Sequence, residues 1–377
     1  MIYLDNGATT NKKPFRVKLM VLKSVFRKLS ANPHRAGYSL SNNLASKVYN
    51  IRENLANLFG ITNAENCIFT SGCTEALNLA INSTYVLGGH VIATCYEHNS
   101  CLRPLYQLKK EGKIDLTIVY PDKNGEIKPE SIEKEIKNNT YLIATIYTSN
   151  VTGYTNDIKS IGKICKKHNL LFLVDCAQSA GHEKIDMTKQ NIDYVTIAGH
   201  KGFYATTGIG ALITSDKGKK YLKPIKFGGT GTQSDNPIQP TDFPDGFEAG
   251  TPNTTGILSL GEGLKFVQKN LDKITKHINN LTTYLLERLK EIKNIIIYPN
   301  NNTKTGVIAF NIKNKPSNEV GNYLSDKNIC VRTGLHCAPL VHKFYNTLDC
   351  GMIRVSFSYF NKKRDIDKLV DSLKQLN

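Results

Sequence analysis

Short apolar runs alternate with longer amphipathic stretches between about residues 66 and 215 of the chain. Parallel strands joined by helical crossovers are buried on both faces, so their sequences are near-continuous apolar runs. The pattern therefore predicts an α/β fold with a mostly parallel sheet that helices cover on both sides. The seven predicted strands are 67–70, 90–94, 116–119, 141–147, 170–174, 194–198 and 209–214.

The last third of the chain has a different pattern. The stretch 255–292 predicts one or two long helices, and shorter apolar runs follow it. These elements favour a smaller α+β domain, and 377 residues suffice for two domains because single cores stop growing near about 250 to 300 residues. The predicted strands here are 306–312, 329–332 and 352–359, and the predicted closing helix is 365–376.

Polar side chains follow four of the predicted strands of the larger part. Ligands of open α/β sheets bind in the crevice outside the carboxyl ends of the strands, so these positions indicate a site. The residues concerned are Glu97-His98-Asn99, Ser149-Asn150, Asp175-Cys176-Ala177-Gln178 and Gly199-His200-Lys201.

The small residues 71–74 form a predicted turn between the first strand and a helix. Free backbone N–H groups and the helix dipole favour an anion there, above all one phosphate. Pyridoxal phosphate would need such a turn, a lysine for its Schiff base and an acid beside its pyridine nitrogen. Lys201 and Asp175 could supply the last two. Taken singly, each has a plainer explanation, since Lys201 is one of 40 lysines and Asp175 could cap a helix.

Cys337 is the candidate nucleophile of the chain. It lies in a loop with Arg332 and His336, and positive charge nearby would favour the reactive thiolate. A buried apolar filler is the alternative for a lone cysteine. The cluster around Lys201 favours the chemical role, because attack on a substrate needs a group that accepts electrons.

Composition restricts the other classes of function. The net charge of +17 comes from 40 Lys and 9 Arg spread along the chain, so nucleic acid is not an expected partner. The nine cysteines form no Cys-x-x-Cys pair, and neither a metal site nor a disulfide framework is predicted. No apolar run is long enough for a bilayer and no signal peptide is visible, so we expect a cytoplasmic protein without membrane contact.

The ordered motifs of the chain resemble those of the class V aminotransferase-fold cysteine desulfurases. The His-Cys-Ala-Pro form of the cysteine loop is similar to the group that includes sulfur-mobilisation desulfurases and selenocysteine lyases. The motifs that carry the resemblance are Tyr3 to Thr10, Asn32 to Arg35, Ser71 to Asn78, Glu97-His98, Ser149 to Gly153, Val174 to Gln178, Gly199-His200-Lys201, Phe247 to Asn253, Arg332 to Pro339 and Arg354 to Phe357.

The resemblance implies a pyridoxal 5'-phosphate-dependent transferase of fold type I that acts as a homodimer. It implies a segment 1–15 that packs with the small domain, a large cofactor-binding domain 16–255 and a small domain 256–377 that carries the cysteine loop. The implied cofactor residues are Lys201 for the Schiff base, Asp175 for the pyridine nitrogen, Gln178 for the phenolate oxygen, His98 stacked on the ring, and Thr74, His200, the backbone at Cys73 and Thr251 of the other subunit for the phosphate.

The implied substrate residues are Arg354 and Asn150 for the carboxylate, with Arg332, His34 and Arg35. Two positions depart from the family pattern, because Ala198 and Cys73 stand where hydroxyl residues are common. Each departure removes a candidate phosphate hydrogen bond of about 1 to 3 kcal/mol, so weaker cofactor binding is expected.

The implied reaction converts L-cysteine to L-alanine. Lys201 would move the α-proton, His98 would exchange protons with the substrate thiol, and Cys337 would keep the sulfur as a persulfide for an acceptor protein. A selenocysteine lyase, with L-selenocysteine as substrate, and a cysteine sulfinate desulfinase are alternatives of the same chemistry. A sulfur-relay or RNA-associated protein is the non-enzymatic alternative.

Overall fold

The computed structural model describes residues 1–26, 29, 31–33, 37–298 and 305–376. Its centre is a seven-stranded sheet with the strand order β2-β8-β7-β6-β5-β3-β4, in which only β8 runs antiparallel to its neighbours. The mostly parallel seven-stranded sheet is therefore as predicted. Its strands are β2 (Cys67–Thr70), β3 (Gly89–Thr94), β4 (Ile114–Val119), β5 (Thr140–Ile146), β6 (Leu171–Asp175), β7 (Tyr194–Ala198) and β8 (Gly210–Thr214).

Helices cover this sheet on both faces, and two apolar cores lie between the layers. The strands β2, β3, β6, β7 and β8 are buried along their whole length, which is why their sequences are continuous apolar runs. The helices of this part are α1 (Phe15–Ser24), α2 (Ser39–Leu58), α3 (Cys73–Thr84), α4 (Asn99–Lys110), α5 (Pro129–Glu133), α6 (Ile158–Lys167), α7 (Met187–Gln190) and α8 (Asp216–Lys219).

Strand pairing brings two important segments to the same edge of the sheet. Thr70 and Ala198, the last residues of β2 and β7, both pair with Gly210 at the start of β8. Because β8 lies between them and runs antiparallel to both, β2 and β7 end at the same level on either side of Gly210. The turn that precedes α3 and the segment that carries Lys201 therefore face the same crevice.

Gly202, directly after Lys201, has no space for a side chain. A Cβ atom on Gly202 would lie 1.9 Å from the carbonyl oxygen of Ala180. Gly181, next to Ala180, has a φ of +86°, which L side chains rarely adopt. The two glycines thus let the Lys201 segment lie directly against the turn that follows β6.

The smaller part of the molecule is built on a four-stranded sheet with the order β12-β13-β10-β9. A two-stranded sheet, β1 with β11, joins the N-terminal segment to it. Its elements are β1 (Ile2–Tyr3), α9 (Thr254–Leu289), β9 (Ile295–Ile297), β10 (Val307–Ile312), α10 (Ser317–Asp326), β11 (Ile329–Cys330), β12 (Arg332–Gly334), α11 (Pro339–Phe344), β13 (Met352–Ser356) and α12 (Lys363–Leu376).

Two details of the sequence prediction are settled by these elements. The stretch predicted as one or two helices is the single helix α9, whose first half packs in the larger core and whose second half packs in the smaller one. The strand predicted at 329–332 is wrong as one strand, because β11 pairs with β1 whereas β12 pairs with β13. The domain bounds at 15/16 and 255/256 stay a prediction.

The described part of the chain contains no membrane-spanning helix, no disulfide bond and no cluster of metal ligands. No helix in the described part of the chain is both long and apolar enough to cross a bilayer. All nine cysteines are free. Among residues 1–26, 29, 31–33, 37–298 and 305–376, no group of three or more potential metal ligands lies together.

The close approach of Gly202 leads to a prediction on stability. Gly202→Ala should lower the free energy of unfolding by about 2 kcal/mol or more, because the added methyl group cannot fit against Ala180 without moving the backbone. Urea denaturation measures the change. Gly229→Ala is the matched control, since a Cβ there meets no atom within 4 Å. Equal losses in the two variants would contradict the packing argument.

Candidate active site

One cavity of about 420 Å³ lies at the carboxyl ends of the central strands. It is bounded on one side by the sheet and on the other by β12, β13 and the cysteine loop of the smaller part. Eleven of the fourteen residues predicted for the site line it: Cys73, Thr74, His98, Asn150, Asp175, Gln178, His200, Lys201, Arg332, Cys337 and Arg354.

A carboxylate and an amine share the floor of the cavity. Asp175 ends β6 and is buried, and its Oδ1 accepts a hydrogen bond of 2.9 Å from the backbone N–H of Ala177. Burial lowers the pKa of Lys201 below its ordinary value, and the Asp175 carboxylate opposes that shift. The lysine is thus closer to its neutral form than an exposed lysine, which suits a nucleophile and a base.

Cys73 supports Asp175 through its side chain. Its Sγ lies 3.4 Å from Oδ1 of Asp175 and 3.3 Å from Oγ1 of Thr196. Burial, followed by the Asp175 charge, raises the pKa of this thiol well above its ordinary value, so Cys73 is a neutral donor. The residue that replaces a hydroxyl of the family pattern therefore contacts the acid of the site, and Thr196 is a further polar neighbour that the sequence analysis missed.

The turn before α3 offers a place for an anion. Gly72 precedes the helix and has no side chain to cap it. The Nδ1 atom of His200 is buried and has no hydrogen-bond partner within the described part of the chain. Burial and then Lys201 lower the pKa of His200 to about 4, so the ring is neutral. A phosphate oxygen could accept from these N–H groups.

A line of polar groups joins His98 to Thr74. The Nδ1 atom of His98 accepts from the backbone N–H of Ser100 at 3.1 Å, and Oγ of Ser100 lies 2.9 Å from the same nitrogen. Oγ of Ser100 also lies 2.8 Å from Oγ1 of Thr74. Burial lowers the pKa of His98 to about 4, so the neutral ring carries its proton on Nε2. Ser100 was missed, although its place two residues after a helix-capping histidine is a usable signal.

Arg354 is the buried cation of the cavity. It is 3% exposed, and its Nη1 donates to the carbonyl oxygen of Asn150 at 2.9 Å. Its Nη2 donates to Oδ1 of Asp5 at 2.6 Å. Asp5 was not among the predicted site residues, and no local pattern could have revealed it, because its partner is 349 residues away in sequence.

The cysteine loop places an exposed thiol at the mouth of the cavity. His336 and Cys337 both have left-handed backbones, with φ values of +52° and +57°. Two hydrogen bonds from the larger part hold them: the N–H of Asn99 donates to the Cys337 carbonyl at 2.7 Å, and Nδ2 of Asn150 donates to the His336 carbonyl at 2.6 Å. The loop is therefore fixed by elements of the cavity itself.

The expected charge of His336 beside Cys337 is wrong. Its ring is buried and stacks on His342 with 5.7 Å between the ring centroids. Burial, followed by the charge of Arg354, lowers the pKa of His336 well below its ordinary value, so the ring is neutral. Arg332 is exposed, lines the same cavity as Cys337 and stays the candidate cation for the thiolate.

Of the described residues predicted for the site, Thr251 alone is not in this cavity. Thr251 lines a separate cavity of about 590 Å³, formed by residues of the segment 227–251 together with Asn32. The resemblance assigned Thr251 to the other subunit, so a single chain does not test that role. His34 and Arg35 lie outside the described residues.

Glu97 is a buried acid behind the cavity. Its Oε1 accepts from Oγ1 of Thr94 at 2.6 Å and from the N–H of Ile146 at 2.8 Å. Burial raises the pKa of Glu97 to about 8, although the hydrogen bond from Thr94 opposes the shift. The carboxyl group is thus protonated at neutral pH, and it holds the end of β3 to the end of β5.

These residues fit the predicted cofactor. The buried and unpartnered Nδ1 of His200 and the uncapped start of α3 suit a phosphate. The pair of Lys201 and Asp175 suits an aldehyde and a pyridinium nitrogen. The assignment of individual roles stays a prediction.

Comparisons with known proteins give a consistent result. A family model described as aminotransferase class-V matches residues 2–369. A probable cysteine desulfurase of Borreliella burgdorferi is 33% identical over 391 residues, which cover 100% of this chain and 92% of the relative. One of Halalkalibacterium halodurans is 33% identical over 382 residues, which cover 100% of this chain and 93% of the relative.

Two solved structures have the same fold as this chain. An apo cysteine desulfurase from Thermococcus onnurineus NA1 has a TM-score of 0.91 at 31% identity, with 100% of this chain and 94% of that chain covered. A cysteine desulfurase from Escherichia coli, at 23% identity, is similar in fold with a TM-score of 0.88 and covers 99% of this chain and 94% of its own.

The raised pKa of Glu97 predicts a pH dependence of stability. Between the ordinary value of 4.5 and about 8, the unfolded chain has lost this proton while the folded chain keeps it, so stability falls as the pH rises. Glu97→Gln mimics the protonated acid and should remove about 1 kcal/mol per pH unit from that slope. Urea denaturation at pH 5.5, 6.5 and 7.5 measures it.

The control for this experiment is Glu53→Gln, which replaces an exposed acid on α2. That variant should follow the parent at every pH. Parallel curves for the parent and Glu97→Gln would mean that Glu97 is already ionised in the folded protein.

Proposed function

Because the chain belongs to the class-V aminotransferase family, we propose that it is a cysteine desulfurase that transfers the sulfur of L-cysteine to Cys337. The predicted family and fold class are confirmed, and so is the cofactor, because enzymes of this family depend on pyridoxal 5'-phosphate. One observation carries the proposal: the Lys201 and Asp175 pair and an exposed thiol line the same cavity.

The cofactor would be held by groups already in place around the cavity. Lys201 would bind its aldehyde, Asp175 would pair with its ring nitrogen, and Gln178 would bond its phenolate oxygen. His98 would cover the ring, and Thr74, His200 and the Cys73 backbone would hold the phosphate. When bound, pyridoxal phosphate supplies an electron sink for the bonds that break at the substrate.

Substrate binding and proton transfer use different residues. Arg354 and Asn150 would bind the substrate carboxylate, and Arg332 lies beside Arg354 at the same opening. Lys201, with its lowered pKa, would take the proton from the substrate α-carbon. His98, neutral with a proton on Nε2, would exchange protons with the substrate thiol.

Sulfur transfer itself is the work of Cys337. Its thiolate attacks the substrate sulfur, so that a sulfur–sulfur bond forms while the carbon–sulfur bond breaks. The electron pair of the broken bond stays with the substrate carbon skeleton, which takes up a proton there and leaves as alanine. Cys337 keeps the persulfide for a sulfur-acceptor protein.

The location and assembly of the protein are also proposed. We propose a cytoplasmic enzyme, which the nine free cysteines support, since a reducing compartment preserves thiols. A homodimer is supported by the segment 227–251, where Phe227 and Ile238 are 74% and 73% exposed beside Thr251.

Cys337→Ser should separate the transfer step from cofactor chemistry. Production of alanine and sulfide from L-cysteine should fall at least about a hundredfold, because serine cannot accept the sulfur, while the cofactor absorption band persists. Cys350→Ser is the control, since Cys350 contacts Asn311 and Gly351 and does not line the cavity. Unchanged activity in Cys337→Ser would rule out the persulfide step.

The same assay distinguishes the alternative reactions. Lys201→Ala should alter or remove the absorption band, which Cys337→Ser leaves intact. L-Selenocysteine and cysteine sulfinate should be compared with L-cysteine in both proteins. A rate with either compound that exceeds the cysteine rate and does not need Cys337 would favour a lyase or a desulfinase.

A mixed dimer tests the contribution of Thr251 from the second subunit. Lys201→Ala and Thr251→Ala homodimers should each be impaired, the second one at limiting pyridoxal phosphate. Mixing and reassociation should restore activity, because one of the two sites then combines an intact Lys201 with an intact Thr251. Activity that stays at the sum of the two homodimers, or a monomer in sedimentation, would reject the shared site.

A further inference from the structure

The Asp5 carboxylate contacts the guanidinium group of Arg354, the group that would bind the substrate carboxylate. Oδ1 of Asp5 lies 2.6 Å from Nη2 of Arg354, and the side chains are 15% and 4% exposed. The pair is therefore shielded from solvent. It lies at the edge of the cavity, which Arg354 lines. Asp5 has no part in the function proposed above.

The guanidinium keeps N–H groups for another anion. One N–H of Nη2 points to Asp5 and one of Nη1 to the Asn150 carbonyl. The Nε atom is buried and has no partner among the residues that the structure describes. Because a guanidinium has further N–H groups, Arg354 can hold a substrate carboxylate while it still holds Asp5.

The neighbouring strand explains why an acid is needed there. Arg332 of β12 and Arg354 of β13 are directly paired in the antiparallel register, so their side chains emerge on the same face. Like charges directly opposite each other are destabilising. Arg332 is exposed, so solvent can hydrate its charge. Arg354 is buried and depends on Asp5 for its counter-charge.

The backbone keeps Asp5 in this place. The N–H of Ser356 donates to the Leu4 carbonyl at 2.7 Å, and the N–H of Gly7 donates to Oγ of Ser356 at 2.7 Å. A Cβ atom on Gly7 would lie 3.4 Å from Cζ of Arg354. The N-terminal segment thus runs along β13 in contact with the arginine, and Asp5 cannot leave without breaking these bonds.

We propose that Asp5 is a positioning residue that sets how tightly Arg354 binds the carboxylate of an amino acid. This rests on the proposed role of Arg354. Asp5 holds the guanidinium in place in the free enzyme, and it repels the incoming carboxylate in the complex. Because L-cysteine and L-alanine carry the same carboxylate, this limits the affinity for substrate and for product alike, which favours release of alanine.

The test compares two ligands on the cofactor-loaded protein. L-Alanine has the carboxylate, and L-alaninol is the same skeleton with an alcohol in its place. Asp5→Asn keeps the oxygen that accepts from Arg354 and removes the charge. The dissociation constant of L-alanine, measured by the change in cofactor absorbance, should fall about tenfold, and that of L-alaninol should not change. Asp115→Asn, which removes an exposed acid on β4, is the control for net charge.

Other results would overturn the inference. An unchanged or higher dissociation constant for L-alanine in Asp5→Asn would mean that Asp5 does not compete with the ligand carboxylate for Arg354. An equal change for both ligands would reduce Asp5 to a structural role. Failure of the underlying assignment looks different: a parent protein that binds L-alanine no better than L-alaninol, with Arg354→Gln unchanged from the parent, would mean that Arg354 does not bind the carboxylate.

Asp5→Asn is expected to lower stability, because it leaves Arg354 buried without a counter-charge. A second measurement, of the melting temperature, uses this loss as its readout. Saturating L-alanine supplies the missing carboxylate. It should therefore raise the melting temperature of Asp5→Asn more than that of the parent, and L-alaninol should not. Equal shifts in the two proteins would overturn the inference even if the variant is only marginally folded.

Discussion

The burial of Asp175 beside Lys201 is the constraint on which the site depends. Asp175 is buried where β6 ends, Lys201 lies just beyond the end of β7, and the Asp175 charge opposes the lowering of the Lys201 pKa by burial. Strand order puts the two ends side by side, and the glycines at 181 and 202 let the Lys201 segment lie against the turn after β6. The Cys73 thiol and the Ala177 N–H then donate to the carboxylate.

Most of the central sheet could be predicted from sequence. Strands such as β2, β6 and β7 are buried on both faces, and a buried strand has a continuous apolar sequence. The strand ends also revealed Asp175, Gln178 and Lys201, because side chains that follow parallel strands collect at one edge. The resemblance added Arg354, for which the local sequence had no signal of its own.

Several features needed the three-dimensional structure. The contact of Asp5 with Arg354 joins the two ends of the chain, and sequence spacing says nothing about such a pair. The neutral state of His336 follows from its burial against His342. The sequence shows only that His336 is next to Cys337 and gives no sign of this burial. The division of residues 329–334 into two strands depends on which partner each one meets, β1 or β13.

The left-handed pair His336 and Cys337 has a consequence for the chain before it is folded. Residues other than glycine adopt this backbone conformation uncommonly. The two hydrogen bonds that hold it come from Asn99 and Asn150 of the larger part. In a nascent chain the Cys337 thiol is therefore present, but the loop that orients it toward the cavity has not yet formed. The sulfur transfer proposed for Cys337 therefore requires that the two cores have already assembled.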